Sequence, residues 1–119
     1  MSKANTGKLG ESVAENYLID HDFKIITKNF HSIYGEIDLI AEKNGKLHFV
    51  EVKTRKNFSF GSPIESYHFA KQQKIIKTAF IYMDQQNIRK QFQFDFIGVL
   101  LNQDDSINEI EMLENALYE

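Results

Sequence analysis

The sequence predicts an α/β fold, a β-sheet with a helix against each of its faces. Two stretches carry the 3.6-residue period of amphipathic helices, at 5–21 and 67–86, and strand-like runs alternate with them. The two middle runs, 33–42 and 46–54, are apolar on both sides, as strands are when covered above and below.

The first helix places Leu9, Val13 and Tyr17 on one side, with Ala14 and Leu18 beside them. At 100° per residue Glu11 falls within about 20° of Leu18 and about 40° of Gly7, so it borders the apolar stripe. Gly7 and Gly10 each cost roughly 1 kcal/mol against Ala in a helix. Their presence suggests close approach by another backbone, or fraying before Glu11. Glu11 is either a first-turn acid favoured by the helix dipole or an acid reaching toward a sheet edge. His21-Asp22 closes the helix, and Phe23–Lys28 follows as a short strand.

Asn44-Gly45 separates the two central runs, and a type I′ hairpin turn selects that pair because both residues must accept positive φ. A two-residue loop sets Asp38 opposite Glu51 and Glu36 opposite Lys53. A four-residue loop keeps that register and a three-residue loop with a bulge shifts it. Alternation then puts all four side chains on one face, with Ile40 and Phe49 just inside them. Ile37, Leu39, Ala41, Val50 and Val52 take the other face.

Two opposed carboxylates roughly 5 Å apart repel by about 3 kcal/mol at an effective dielectric near 20. That exceeds the roughly 0.2–1 kcal/mol of a favourable cross-strand pair. A bound cation, a proton held by one carboxyl, or a nearby Lys must compensate. Mg²⁺ suits such a pair, since it takes hard oxygen ligands from one or two carboxylates and substrate phosphate. Lys53 points the same way as Glu51, toward the anion that a cation recruits. Read so, the ribbon is a metal-assisted phosphodiester-cleaving site. The bland alternative is an exposed hairpin face with Glu36 paired to Lys53 and the acids solvated. Charges at the end of a covered strand favour the first.

Residues 54–63 read as a loop in which Arg55, Lys56, Phe58 and Phe60 interleave charge and ring, a mixture suited to phosphate contact and base stacking or to anchoring the loop. The second helix buries Ile75, Ile76, Ala79, Phe80, Tyr82 and Met83 and carries Lys71, Lys74 and Lys77 as a basic stripe, with Gln72 one turn before Ile76. Phe92–Leu101 is a further strand holding Asp95 in a structural role, and a last strand at 107–113 follows the acidic turn Asp104-Asp105. The histidines at 21, 31, 48 and 68 show no metal-ligand spacing. No Gly-rich phosphate loop and no nucleophile elbow occurs.

The net charge of −3 argues against a general DNA-coating protein, but it hides a partition. Residues 1–52 carry −2, residues 53–90 carry +6 and residues 91–119 carry −7. The basic island begins at Lys53, which suggests a nucleic-acid face or else a solvated helix surface. No apolar run approaches the ~18 residues of a membrane span. The polar start, Met1 to Thr6, argues against a secretory signal, and the absence of Cys removes disulfides and thiolate zinc sites. One cytoplasmic domain over 1–119 is expected.

A helix bearing Glu11, a strand bearing Asp38, then Glu51-Val52-Lys53 and a basic helix resembles the PD-(D/E)xK nuclease superfamily. The likeness is closer to its YraN (UPF0102) branch. Gly10-Glu11…Ala14, Gly35-Glu36-Ile37-Asp38-Leu39-Ile40-Ala41, Phe49-Val50-Glu51-Val52-Lys53-Thr54-Arg55, Phe94-Asp95-Phe96 and the ending Glu114-Asn115-Ala116-Leu117-Tyr118 carry it over nearly the whole chain. The resemblance implies a restriction-endonuclease-like three-layer sandwich, a central mixed β-sheet flanked by helices, similar to archaeal Holliday-junction resolvases. It also implies a role in nucleic-acid processing. Asp38 and Glu51 would hold Mg²⁺ or Mn²⁺, with the carbonyl after Glu51 as a third ligand. Lys53 would orient or activate water, and Glu11 matches the acid that resolvase-like members place on the first helix. Gln72 matches the polar helix position facing such sites. The superfamily's proline is absent, since Gly35-Glu36-Ile37 precedes Asp38, and Glu36 is either a further ligand or the partner of Lys53.

The expected function is a metal-dependent DNA endonuclease acting on branched or single-stranded DNA, with Arg55, Lys56, Lys71, Gln72 and Lys74 on the nucleic acid. The competing class is a non-catalytic nucleic-acid-binding or protein-interaction module on the same fold, which would gain little from opposed carboxylates. A single compact site cuts one strand; a C2 homodimer would present two.

Overall fold

The computed structural model describes residues 3–56 and 69–116. Helix α1 spans Lys3–Asp20 and ends in a Schellman motif. Asp22, at φ +69°, takes the left-handed position, Phe23 N–H bonds Leu18 O at 2.9 Å, and Asp22 N–H bonds Ile19 O at 3.1 Å. Phe23 and Leu18 then pack together in the core, so the cap also aims the chain into β1 (Lys24–His31). Helix α2 (Phe69–Gln85) ends the same way around Asn87, with Ile88 N–H on Met83 O at 2.9 Å.

Strand β2 (Glu36–Lys43) turns into β3 (Lys46–Arg55) through Asn44 and Gly45, whose φ angles of +53° and +77° are those a type I′ turn demands. The expected register holds from Lys43↔Lys46 to Leu39↔Val50. Strands β4 (Phe92–Leu101) and β5 (Ile107–Leu113) complete a five-stranded sheet in the order β1-β2-β3-β4-β5. Among the described strands only β3 and β4 run parallel, and α2 lies in the crossover that a parallel pair requires.

The sheet is mixed and covered on both faces, giving a three-layer α/β/α sandwich. Against α1 lie Leu39, Ala41, Val50, Val52, Ile97 and Val99, with Ala14 and Leu18 fully buried. Against α2 lie Ile40, Leu47 and Phe49, packed on Ile75, Ala79 and Tyr82. Close packing of α1 explains one of its two glycines. A Cβ on Gly10 would sit 1.7 Å from Thr54 Oγ1, whereas one on Gly7 would meet nothing within 4 Å among the described residues.

Several boundaries and faces depart from the sequence reading. Strand β1 continues to His31 because it pairs with β2 as far as His31↔Glu36, and residues 33–35 lie in the turn between them. Arg55 extends β3 beyond the expected end at Thr54 rather than opening a loop, held by its parallel pairing to Leu100. Phe80 is 51% exposed, its ring edge on Phe92, because the inner stripe of α2 runs through Gln72, Ile75, Thr78, Ala79 and Tyr82. Phe58, Phe60 and His68 lie outside the described residues.

Candidate functional site

The site forms where the alternation of β2 breaks. Leu39 and Ala41 face α1, so a regular strand would send Ile37 the same way; instead Ile37 joins Ile40 and Phe49 under α2. Strand β1 breaks in step. Lys28 reaches Glu15 on α1 at 3.3 Å, yet Phe30 packs on Tyr82 of α2, and Asn29 between them takes φ +53°. Across the matched breaks the β1–β2 register is unchanged, with Lys28↔Leu39 and Phe30↔Ile37, while a shift between Ile25 and Thr27 lies farther along the pair.

Asp38 occupies the break, and its Oδ2 accepts the Val52 N–H at 2.7 Å. A continued β2–β3 ladder would give that N–H to the Ile37 carbonyl, since 43–46, 41–48 and 39–50 are the narrow pairs. The side chain has replaced a rung of the sheet. This opens β2 from β3 at the level of Glu51 and brings acids from both layers together. Asp38 senses the charges of Glu51, Glu11 and Glu36.

The same break decides where Glu36, left open between a further ligand and the partner of Lys53, is aimed. The half-turn at Asp38 carries Glu36 toward the α1 side, where it pairs across the sheet with His31 at 3.9 Å. Oriented as its surroundings require, the Asn29 amide donates to Glu36 Oε1 at 2.9 Å and to Glu11 Oε1 at 3.0 Å. Asn29 is a site residue that sequence reasoning missed.

The electrostatics follow from burial. Desolvation, reinforced by the Glu51 charge, pushes the Asp38 carboxyl up to about 8 despite the Val52 N–H. Burial also raises Glu51, against the pull of an ion pair with Lys71 from α2. Glu11 is raised by burial and by Glu36. Lys53 is lowered by burial, then by Arg55 and Lys71. Of the three remedies open to crowded carboxylates, the chain itself supplies two, a proton affinity on Asp38 and a lysine on Glu51.

Glu11, Asp38, Glu51 and Lys53 are therefore brought together, with Lys71 among them and Arg55 acting on Lys53. Lys74 is exposed on α2, and Gln72 is buried. Lys56 is drawn away, its amine 2.7 Å from Asp105. Asp38 and Glu51 could hold a divalent cation, because they set hard oxygen donors side by side in a buried place and a cation can displace the Asp38 proton.

A tighter trio lies elsewhere. His48, Asp95 and Glu114 bring ligand atoms within 4.8 Å of one another. Asp95, however, spends both oxygens inside the protein: Oδ2 on His48 Nδ1 at 2.6 Å, Oδ1 on Gln93 Nε2 at 2.7 Å and Asn115 N–H at 3.1 Å. The His48–Asp95 contact leaves no room for an ion between them. This matches the structural role expected of Asp95.

The model of the uncharacterised protein family UPF0102 matches residues 10–99. The chain belongs to that family. A UPF0102 protein of Dictyoglomus turgidum is 40% identical over 117 residues, covering 98% of this chain and 99% of its own length. One from Caldanaerobacter subterraneus is 43% identical over 119 residues, with 98% and 97% covered. One from Clostridium novyi is 42% identical over 112 residues, with 92% of each covered. The match to the UPF0102 model spans Glu11, Asp38, Glu51 and Lys53. Among the described residues no helix is long and apolar enough to cross a membrane.

Proposed function

We propose that this UPF0102 chain is a metal-dependent endonuclease that hydrolyses phosphodiester bonds in DNA. The observation that carries the reading is the break at Asp38, which trades a rung of sheet for a cluster of crowded carboxyl groups beside a lysine. The likeness of Asp38…Glu51-Val52-Lys53 to the PD-(D/E)xK pattern supports it, as does the basic face of α2.

Asp38 and Glu51 would hold Mg²⁺ or Mn²⁺, with the Val52 carbonyl as a further oxygen donor. When bound, the cation supplies Lewis acidity and lowers the pKa of water at the site. Lys53, with its amine already below the usual lysine range, orients the attacking water and offsets charge developing on the phosphate oxygens. Glu11 accepts a hydrogen bond from that water and fixes its position. Lys71, which rests on Glu51, would be free to meet a substrate phosphate when the site holds its cation. Lys74, Arg55 and Lys56 extend the phosphate contacts, Lys56 by exchanging Asp105 for substrate, and Gln72 braces α2 behind the site. A C2 dimer would set two such sites on the two strands of a duplex.

The Lys71–Glu51 and Lys56–Asp105 ion pairs favour a second reading, a non-catalytic nucleic-acid-binding module whose charges are already balanced internally. Labelled linear, single-stranded and four-way-junction DNAs, incubated with millimolar Mn²⁺, separate the two. Cleavage by wild type, slowed at least about a hundredfold in Glu51→Gln, is the expected result. Salt-sensitive binding without cleavage of any substrate would favour the binding module.

A further inference from the structure

The chain leading into Glu36 is the β1–β2 turn, residues 32–35, and it is fixed from both sides. Ser32 N–H bonds Gly35 O at 2.8 Å, and Tyr34 N–H bonds Ser32 Oγ at 3.0 Å. The Thr78 hydroxyl gives its proton to Lys74 O at 2.8 Å, so its oxygen accepts from Ser32 Oγ, also at 2.8 Å. Thr78 is fully buried, which pins the turn to α2. A Cβ on Gly35 would lie 3.6 Å from that of Lys74, ordinary packing distance.

A turn held this way has no structural use for large apolar side chains at its tip. It nevertheless carries Ile33, 90% exposed, and Tyr34, 43% exposed. The charge around them is basic. Lys77 Nζ stands 5.0 Å over the Tyr34 ring, Lys74 lies against Gly35, and Lys71 is one helical turn nearer the acids, on Glu51. Apolar wedges and aromatic rings flanked by cations suit unstacked bases joined by phosphates. An apolar protein partner would draw nothing from the three lysines.

We propose that Ile33 and Tyr34 form a wedge that occupies an unpaired step of forked DNA, while the adjoining strand follows Lys77, Lys74 and Lys71 into the site. The assignment rests on the nuclease reading and gives it a substrate class, DNA in which paired and unpaired segments meet. Fluorescence anisotropy with Ca²⁺ in place of Mg²⁺ tests it on a blunt duplex, a fork and a single strand. Wild type should bind the fork about tenfold tighter than the duplex, the size of one base-stacking contact. Ile33→Ser combined with Tyr34→Ala should erase that preference and leave duplex binding unchanged. Both side chains are exposed, so the variant keeps its core.

Salt-sensitive but equal binding of fork and duplex by wild type would overturn the wedge and leave the nuclease reading standing. Absence of salt-sensitive binding to all three DNAs would overturn both. Sedimentation of wild type as a dimer and of the variant as a monomer would overturn the wedge in favour of a contact between copies of this chain.

Discussion

Asp95 and Asp38 are both aspartates set into the sheet, one on each side of β3, and their surroundings are opposite. Asp95 takes three donors, from His48, Gln93 and the Asn115 backbone. Among the described residues Asp38 takes one backbone N–H, and it faces Glu51, Glu11 and Glu36. The first closes a network that ties the segment after β5 to β4, aided by Ala116 N–H on Phe94 O at 2.7 Å. The second leaves a carboxyl crowded by other acids in a buried place, where it holds its proton. A buried carboxylate with its acceptors filled stabilises the chain, whereas one crowded by its own kind is a cost that a ligand can relieve.

The largest expected effect breaks the satisfied side. Asp95→Ala would strand the His48, Gln93 and Asn115 donors, costing about 3–5 kcal/mol by analogy with a broken buried pair. Urea unfolding measures it, and a loss below that of Asp38→Ala would invert the contrast. The crowded side should respond the other way, through pH. A carboxyl raised from 3.8 to about 8 holds its proton better folded than unfolded, so metal-free stability falls as pH rises across that window. Asp38→Asn keeps an acceptor for the Val52 N–H and removes the titration. It should flatten the decline by on the order of a few kcal/mol in chelator-containing buffer. A wild type that gains stability from pH 5 to pH 9 would contradict the assignment.

Smaller effects test how α1 delivers Glu11. Gly10→Ala drives a methyl into Thr54 and should cost about 1–3 kcal/mol. Gly7→Ala meets open space inside the same helix and should stabilise by about 1 kcal/mol. Equal thermal shifts for the two would mean that α1 does not press on β3.

Much of this was legible because it is local or periodic. Asn44-Gly45 fixed the turn type and with it the register of β2 on β3, and two-sided apolarity announced a helix on each face. The break at Asp38 was not legible. A single change of alternation leaves no periodic trace, and Ile37 is equally apolar beneath either helix. Asn29 signalled only weakly, as a residue that tolerates positive φ within a strand. The surroundings of Glu36, left open between a further ligand and a partner of Lys53, could not be read for the same reason, and His31 and Asn29 went unnoticed as its neighbours. The links between Lys71 and Glu51, and between His48 and Asp95 some 47 positions apart, are tertiary, so no spacing rule finds them.

The central claim is that the carboxylates at the break are relieved by a divalent cation. Calorimetric titration of Mn²⁺ at pH 7, repeated in buffers of different ionisation enthalpy, tests it most directly. With the Asp38 carboxyl pushed up to about 8, binding should occur at millimolar or tighter affinity and release close to one proton per ion. That release should fade by pH 9, and Asp38→Asn should abolish it. Failure to bind Mn²⁺ with or without a short DNA present, or binding that releases no proton at pH 7, would contradict the account.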